Sequence, residues 1–309
     1  MREGHAHPKL TAWLQLLRVP NLFTVPGDPL AGFSLAAVAV NSEVSFYPIR
    51  LYTILLTSLL LYCAGLLQND YFDLEEDRQD RPARPLPSNR LSPFTVISVA
   101  FSMATAAVVF AFIVSTATGL IAIVLVGIIT AYNHSAKRVR IVGPVFMGLC
   151  RGLNFLLGVG VVGLNGISMP AIVISALLLS LFIAAVTQIA SSETDRYKTG
   201  PIRWLPGVIL VAWFLGLFML VKLSNEIILI VSLLLAGLAC LWAFYCGSLL
   251  VSNAPPAVVQ KTIGRFLRGL LLIQAAIIAL SGTPGFIAVA ILLVAWPVSQ
   301  KLAVRFYAS

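Results

Sequence analysis

Ten runs of mostly apolar side chains nearly fill this chain, at about residues 20–40, 51–69, 94–114, 117–134, 142–163, 170–190, 205–222, 226–250, 264–281 and 284–303. Each is close to the roughly 20 residues that a helix needs to cross a hydrocarbon core of about 30 Å. Inside lipid every backbone N–H and C=O must be satisfied by the protein itself, and a helix does this within one segment. The pattern predicts an all-α, polytopic integral membrane helix bundle with nine or ten transmembrane helices. It leaves no room for a soluble unit, so residues 1–309 read as one domain. Composition agrees, with 59% of residues hydrophobic and 11% charged. Pro20, Pro26 and Pro29 interrupt the first run and no small-residue cleavage site follows it, so it is expected to be a retained first helix.

The charges give the expected orientation. With the N-terminus inside, 18 of the 21 basic residues fall in inside segments; only Arg50 and Lys222 fall outside, and Arg151 lies within a span. Positive residues favour the cytoplasmic side, so ten crossings with both termini cytoplasmic fit best, in a cell inner or plasma membrane. The net charge of +9 is then mainly a topology signal. Nucleic acid is excluded as a partner, because its footprint needs a soluble basic face. Cys63, Cys150, Cys240 and Cys246 all lie in apolar spans, where a thiol acts as a small hydrophobe. Gly158, Gly160, Gly163 and Gly166 read as close helix packing.

The second span ends in "QNDYFDLEEDRQDRPARPLPSNR", which sets six carboxylates within residues 70–80. Asp70, Asp73 and Asp77 follow i, i+3, i+7, so a helix continued through them would project all three from one face. Like charges so placed repel, and a carboxylate cluster suits Mg²⁺, which completes its octahedron with water and phosphate oxygens. The plainer alternative is a solvated loop whose acids pair with Arg78, Arg81 and Arg84. A second polar island, "QIASSETDRYKTGPIR", falls on the same expected side with Glu193 and Asp195. Between the two islands, "AYNHSAKRVR" offers Lys137, Arg138 and Arg140 either as cations for phosphate oxygens or as a topology anchor alone.

These motifs resemble the UbiA family of membrane prenyltransferases. "NDYFDLEEDRQDRPARPLP" looks like that family's first aspartate-rich motif, with Asn69, Asp70, Asp73 and Asp77 on it. "LRVPNLFT" (Arg18, Asn21, Thr24), "YNHSAKR" (Tyr132, Lys137, Arg138), "RGLNFLLG" (Arg151, Asn154, Gly158) and the second island also match in order, over about residues 10–280. The resemblance implies a bundle that binds an isoprenyl diphosphate through Mg²⁺ and joins the prenyl chain to an acceptor, here expected to be small and aromatic. It implies Asp70, Asp73, Asp77 and Asp195 as catalytic carboxylates. The metal ligands would be Asn69, Asp70, Asp73 and Asp77 for one ion, and Glu193 with Asp195 for another. Arg18, Asn21, Asn69, Arg84, Tyr132, Lys137 and Arg138 would bind substrate.

Two departures stand out. The family's second motif carries D-x-x-x-D, but Ser191 stands four residues before Asp195, and serine is a far poorer Mg²⁺ ligand than a carboxylate. The run at 284–303 would be an extra C-terminal helix. The altered motif keeps a second class open, a prenyl-lipid carrier or transporter that holds its lipid without transferring it. A CDP-lipid phosphoalcohol transferase is set aside, since its D-G-x-x-A-R pattern is missing.

Overall fold

The computed structural model describes residues 8–39, 48–163, 169–191, 200–220, 226–251 and 253–306. Among these residues twelve α-helices follow one another: α1 Pro8–Leu16, α2 Gly27–Ala39, α3 Pro48–Phe72, α4 Leu74–Asp80, α5 Pro93–Val114, α6 Thr116–His134, α7 Val142–Val162, α8 Pro170–Ala190, α9 Leu205–Leu220, α10 Glu226–Leu249, α11 Pro256–Ala279 and α12 Thr283–Phe306. Among the described residues eight helices are long and apolar enough to cross a membrane, and two shorter apolar ones run over Pro201–Gly216 and Gly285–Lys301. These ten stretches match the ten apolar runs in order. The protein is a multi-pass, all-helical membrane protein.

Local chemistry sets several helix starts. Proline opens α5, α8 and α11, where its missing N–H costs nothing. Ser115 caps α6 by accepting from the Thr118 backbone N–H at 3.1 Å, and its hydroxyl also donates to Gly160 O on α7 at 3.0 Å. The first run departs from the expected single helix. A 3₁₀ turn covers Val19–Thr24 and α2 starts only at Gly27, because Pro20 and Pro26 each remove a backbone donor from a continuous ladder.

Packing places the site. Helix α2 presses on α7 backbone to backbone: a Cβ at Gly158 would lie 1.8 Å from Pro29 O, and one at Gly32 would lie 2.0 Å from Phe155 O. Only glycine permits that approach. One apolar core joins α2 and α7 to α8, α9, α10, α11 and α12. A second joins α2 and α7 to α3, α5 and α6. A third, smaller core packs Ala12 and Leu16 of α1 with Leu67, Leu74, Leu86, Leu91 and Val96. The expected C-terminal helix is present as α12, which packs on α11 and on the 3₁₀ turn at Val19–Thr24.

Candidate active site

The acidic motif lies where α3 passes into α4. The expected single helix is corrected here: α3 ends at Phe72, and Asp73 adopts φ −91°, ψ 2° before α4 begins. The hydrogen-bond ladder nonetheless bridges the break, from Asp73 N to Asn69 O at 3.0 Å and from Asp77 N to Asp73 O at 2.8 Å. The three carboxylates therefore stay clustered while Leu74 turns into the small core. Asp70 and Asp77 are 7% and 4% exposed, so burial forces each to find a cationic partner.

Three cations arrive from three other segments. Arg18 Nη2 lies 3.4 Å from Asp70 Oδ1. Its own backbone is left-handed, at φ 44°, ψ 54°, a conformation that costs a non-glycine residue about 1–2 kcal/mol and that often marks a functional position. Arg84 Nη1 lies 2.7 Å from Asp77 Oδ2 and 3.9 Å from Asp70 Oδ1. The proline-rich loop delivers it: Leu86 is buried in the small core, and Arg90 ties the loop down by donating to Ala83 O at 2.7 Å and Gln15 Oε1 at 3.1 Å. Lys137, on the short 3₁₀ turn after α6, pairs with Asp73 and donates to Asn69 Oδ1 at 3.4 Å. Asn69 Nδ2 in turn reaches Asp73 Oδ2 at 3.0 Å and Asp70 Oδ1 at 3.5 Å.

Arg18, Asn69, Asp70, Asp73, Asp77, Arg84 and Lys137 thus form one cluster. The other expected residues are placed differently. Tyr132 lines the cavity beneath the cluster. Asn21 lies on the 3₁₀ turn, where its carbonyl accepts from Thr24 Oγ1 at 3.0 Å. Arg138 is exposed beside Lys137. Glu193 and Asp195 lie outside the described residues. Ser191 ends α8, exposed, with its hydroxyl donating to Gln188 O at 2.7 Å.

Below the cluster, a cavity of about 180 Å³ opens between α3, α6 and α7. Its walls are largely apolar and aromatic, with Leu61, Tyr62, Leu125, Ile129, Tyr132 and Met147 among them. Arg151 and Asn154 edge its inner end. Asn133 donates to Gly65 O at 3.0 Å, which ties α6 to α3 beside the cavity.

Behind Arg151 lies a network centred on Asp28, which is 0% exposed. Arg151 Nη1 donates to Asp28 Oδ2 at 2.7 Å. Asn154 donates to the same oxygen at 3.0 Å, and Gln274 of α11 donates to Oδ1 at 2.7 Å. Arg151 and Gln274 also donate to Thr24 O, at 3.2 and 2.7 Å. This network joins α2, α7 and α11 under the cavity. Neither Asp28 nor Gln274 was expected from the sequence. The available signal was one carboxylate and one arginine inside apolar spans, since charges buried there are costly and pair with each other.

The donor set suits Mg²⁺. Asn69, Asp70, Asp73 and Asp77 supply hard oxygen ligands of the kind that ion takes, although among the described residues no three acidic, His or Cys side chains are gathered into a ready-made metal group. Instead, three carboxylates face three cations. That balance leaves no surplus positive charge in the described cluster for a diphosphate, and Mg²⁺ would supply it.

The fold and cleft define a class, that of multi-pass helical membrane proteins with an acid–base cluster at the mouth of an intramembrane cavity. The chain belongs to the UbiA prenyltransferase family, which it matches over residues 30–259. Among curated relatives, digeranylgeranylglyceryl phosphate synthase of Methanococcoides burtonii is 28% identical over 161 residues, 51% of this chain and 57% of that protein. The chain thus spans little more than half of that relative's length. Among solved structures, one of digeranylgeranylglyceryl phosphate synthase in membranes superposes with TM-score 0.61 at 20% identity, covering 88% of this chain and 99% of that one. A UbiA homologue from Archaeoglobus fulgidus bound to DMAPP and Mg²⁺ does so with TM-score 0.60 at 16% identity, over 87% and 99%. At these identities the structural likeness carries the fold.

Proposed function

We propose that the protein is a Mg²⁺-dependent membrane prenyltransferase, which moves a prenyl group from an isoprenyl diphosphate to an acceptor at the cytoplasmic side of a cell inner or plasma membrane. The observation that carries this reading is the cluster of Asn69, Asp70, Asp73 and Asp77 with Arg18, Arg84 and Lys137, set over an apolar, tyrosine-lined cavity. The relative named digeranylgeranylglyceryl phosphate synthase and the homologue holding DMAPP and Mg²⁺ support it.

Each part has a task. In the resting cluster the cations neutralise the carboxylates. When a prenyl diphosphate enters, Arg18, Arg84 and Lys137 turn to its phosphate oxygens, where guanidinium and ammonium make strong charge-assisted bonds. Asn69, Asp70, Asp73 and Asp77, with Glu193 and Asp195 from the second island, are the residues to hold Mg²⁺, which when bound neutralises charge on the departing diphosphate. The allylic C–O bond breaks with its electron pair going to the diphosphate. Tyr62 and Tyr132 present aromatic rings to the prenyl cation, and the apolar walls keep water from trapping it. The acceptor then supplies the electron pair of the new bond and gives up the proton of its aromatic C–H or its hydroxyl to the released diphosphate.

For the acceptor, a small aromatic nucleophile suits the cavity, because its inner arginine is already paired with Asp28 and does not call for a second phosphate. The names of the relatives favour a glyceryl phosphate ether instead. The deciding experiment measures pyrophosphate release from geranylgeranyl diphosphate by purified protein, with and without Mg²⁺, in the presence of a hydroxybenzoate or of geranylgeranylglyceryl phosphate. Release that needs Mg²⁺, rises with one acceptor and falls to background in Asp70→Ala is expected. Tight, metal-independent prenyl-lipid binding with no release would replace this reading by the carrier.

A further inference from the structure

The inner end of the cavity holds two polar atoms that the Asp28 network does not use. Arg151 and Asn154 stand three residues apart on α7, so their side chains share a face, and both line the cavity. Arg151 Nη1 and Asn154 Nδ2 also donate to one and the same oxygen, Asp28 Oδ2, at 2.7 and 3.0 Å. That shared anchor holds the two side chains together.

Their hydrogen bonds leave one donor and one acceptor over. A guanidinium has five N–H groups. Arg151 gives both from Nη1 to Thr24 O and Asp28 Oδ2, and one from Nη2 to Thr24 Oγ1 at 3.1 Å; among the described residues nothing accepts from Nε–H. Asn154 gives one amide hydrogen to Val25 O at 3.1 Å and the other to Asp28 Oδ2. Both of those neighbours are acceptors, so the amide cannot be turned round, and among the described residues its Oδ1 accepts no hydrogen bond. Asn154 is only 6% exposed. The fully buried unpartnered side-chain atoms among the described residues are Ser175 Oγ, Arg203 Nε, Trp213 Nε1 and Gln274 Oε1. Arg151 Nε and Asn154 Oδ1 are not among them, so each keeps surface on the cavity.

Charge limits what can meet this pair of atoms. Asp28 and Arg151 neutralise each other, so an incoming carboxylate or phosphate would add an unmatched charge inside the bundle. A purely apolar group, such as the end of a prenyl chain, would leave donor and acceptor unserved. One hydroxyl serves both, since its oxygen accepts and its proton is donated. Depth separates this end from the diphosphate: Asn69 and Ser58 both line the cavity and are eleven residues apart on α3, about 16 Å along its axis.

We propose that Arg151 Nε and Asn154 Oδ1 bind a phenolic hydroxyl of the acceptor, with the ring held among Leu61, Leu125 and Ile129 and its opposite edge toward the acidic cluster. That the bound molecule is the acceptor rests on the prenyl transfer proposed above; the hydroxyl site itself does not. Donation of the hydroxyl proton to Asn154 raises electron density at the ring carbons ortho and para to it, one of which attacks the prenyl cation. The bond formed is carbon to carbon, and the proton displaced from that ring carbon leaves with the diphosphate.

The test measures saturable binding of tritiated 1-naphthol to the full chain in detergent, corrected for protein-free micelles and without prenyl diphosphate, and its competition by 1-methoxynaphthalene and 1-naphthoate. The three share one ring system. 1-Methoxynaphthalene, which cannot donate, should compete about ten-fold more weakly than unlabelled 1-naphthol, and 1-naphthoate more weakly still. Asn154→Leu removes the acceptor atom and should bring 1-naphthol and 1-methoxynaphthalene within about two-fold of each other, in protein whose unfolding midpoint is measured alongside. Leu125→Trp narrows the cavity from α6, outside the Asp28 network, and should weaken 1-naphthol about ten-fold. Absence of saturable 1-naphthol binding to wild type, or equal competition by either analogue, overturns the proposal whether or not the variants fold. A ten-fold preference that persists in folded Asn154→Leu, or unchanged binding in folded Leu125→Trp, overturns it too. Pyrophosphate release is then assayed with geranylgeranyl diphosphate, Mg²⁺ and each naphthalene. Preferred binding of 1-naphthol without release keeps the hydroxyl site and refutes the transfer reading, whereas release with no preference for the hydroxyl refutes the site and keeps the transfer.

Discussion

Breaking the pair of Asp28 and Arg151 should be among the most destabilising single changes in this bundle. Asp28 is 0% exposed, and its Oδ2 sits 2.7 Å from Arg151 Nη1. At an effective dielectric constant of about 20, two unit charges at that separation attract by about 6 kcal/mol. Desolvation of the two ions offsets most of this when both are present, but removing one partner leaves the other charge buried and unpaired, at a cost of about 3–5 kcal/mol. Asp28→Asn strands the guanidinium. Arg151→Met strands the carboxylate with only the Asn154 and Gln274 amides to serve it. Each should lower the midpoint of thermal unfolding in detergent by on the order of 5–10 °C, measured by size-exclusion chromatography after heating. The double change D28N/R151M removes both charges and should cost less than the sum of the singles by about 2 kcal/mol, inside the range for residues in one network. Additivity within about 0.5 kcal/mol would show that the two side chains do not act as a pair, and the account of how α2, α7 and α11 are joined would fail with it.

Gly158→Ala places a Cβ 1.8 Å from Pro29 O, so α2 and α7 must separate; we expect a loss of about 2–3 kcal/mol, seen as a lower unfolding midpoint, and an unchanged midpoint would show that this crossing is loose. Ser191→Asp restores a carboxylate four residues before Asp195 and should raise Mg²⁺ affinity in the presence of prenyl diphosphate by about ten-fold. Isothermal calorimetry reads it, and no gain would remove Ser191 from the account of the metal site. Cysteines introduced at Ser88, in the loop that carries Arg84, and at Glu226, the start of α10, should react with a membrane-impermeant thiol reagent from opposite faces, with Ser88 labelled from the cytoplasm. Labelling of both from one face would refute the proposed number of crossings between them, and Ser88 labelled only from outside would invert the proposed orientation.

Much of the cluster was legible because its cues are local. The i, i+3, i+7 spacing of Asp70, Asp73 and Asp77 survives the break at Asp73, since the backbone hydrogen bonds from Asn69 through Asp77 keep their four-residue step. Lys137 and Arg84 were expected near phosphate, and they meet the acids directly. The solvated-loop alternative was also partly right: Arg78 pairs with Glu75 at the exposed surface, where such pairs are worth little. Arg138 was read as equivalent to Lys137, but the turn after α6 points only one of these two neighbours into the cluster.

The sequence alone determined that this is a membrane bundle, where its helices run and where its acids gather, because bilayer thickness and helical period are properties of consecutive residues. Tertiary structure alone decided which charge meets which. Asp28 and Gln274 are 246 positions apart and share a hydrogen bond, and Arg151 finds Asp28 across 123 positions. Those meetings follow from α2 and α7 packing backbone to backbone at Gly32 and Gly158, and from the Gln274 side chain of α11 pressing on α2 at Gly27. No local period records that approach; only the packing, with its demand that every buried charge be matched, brings the partners together.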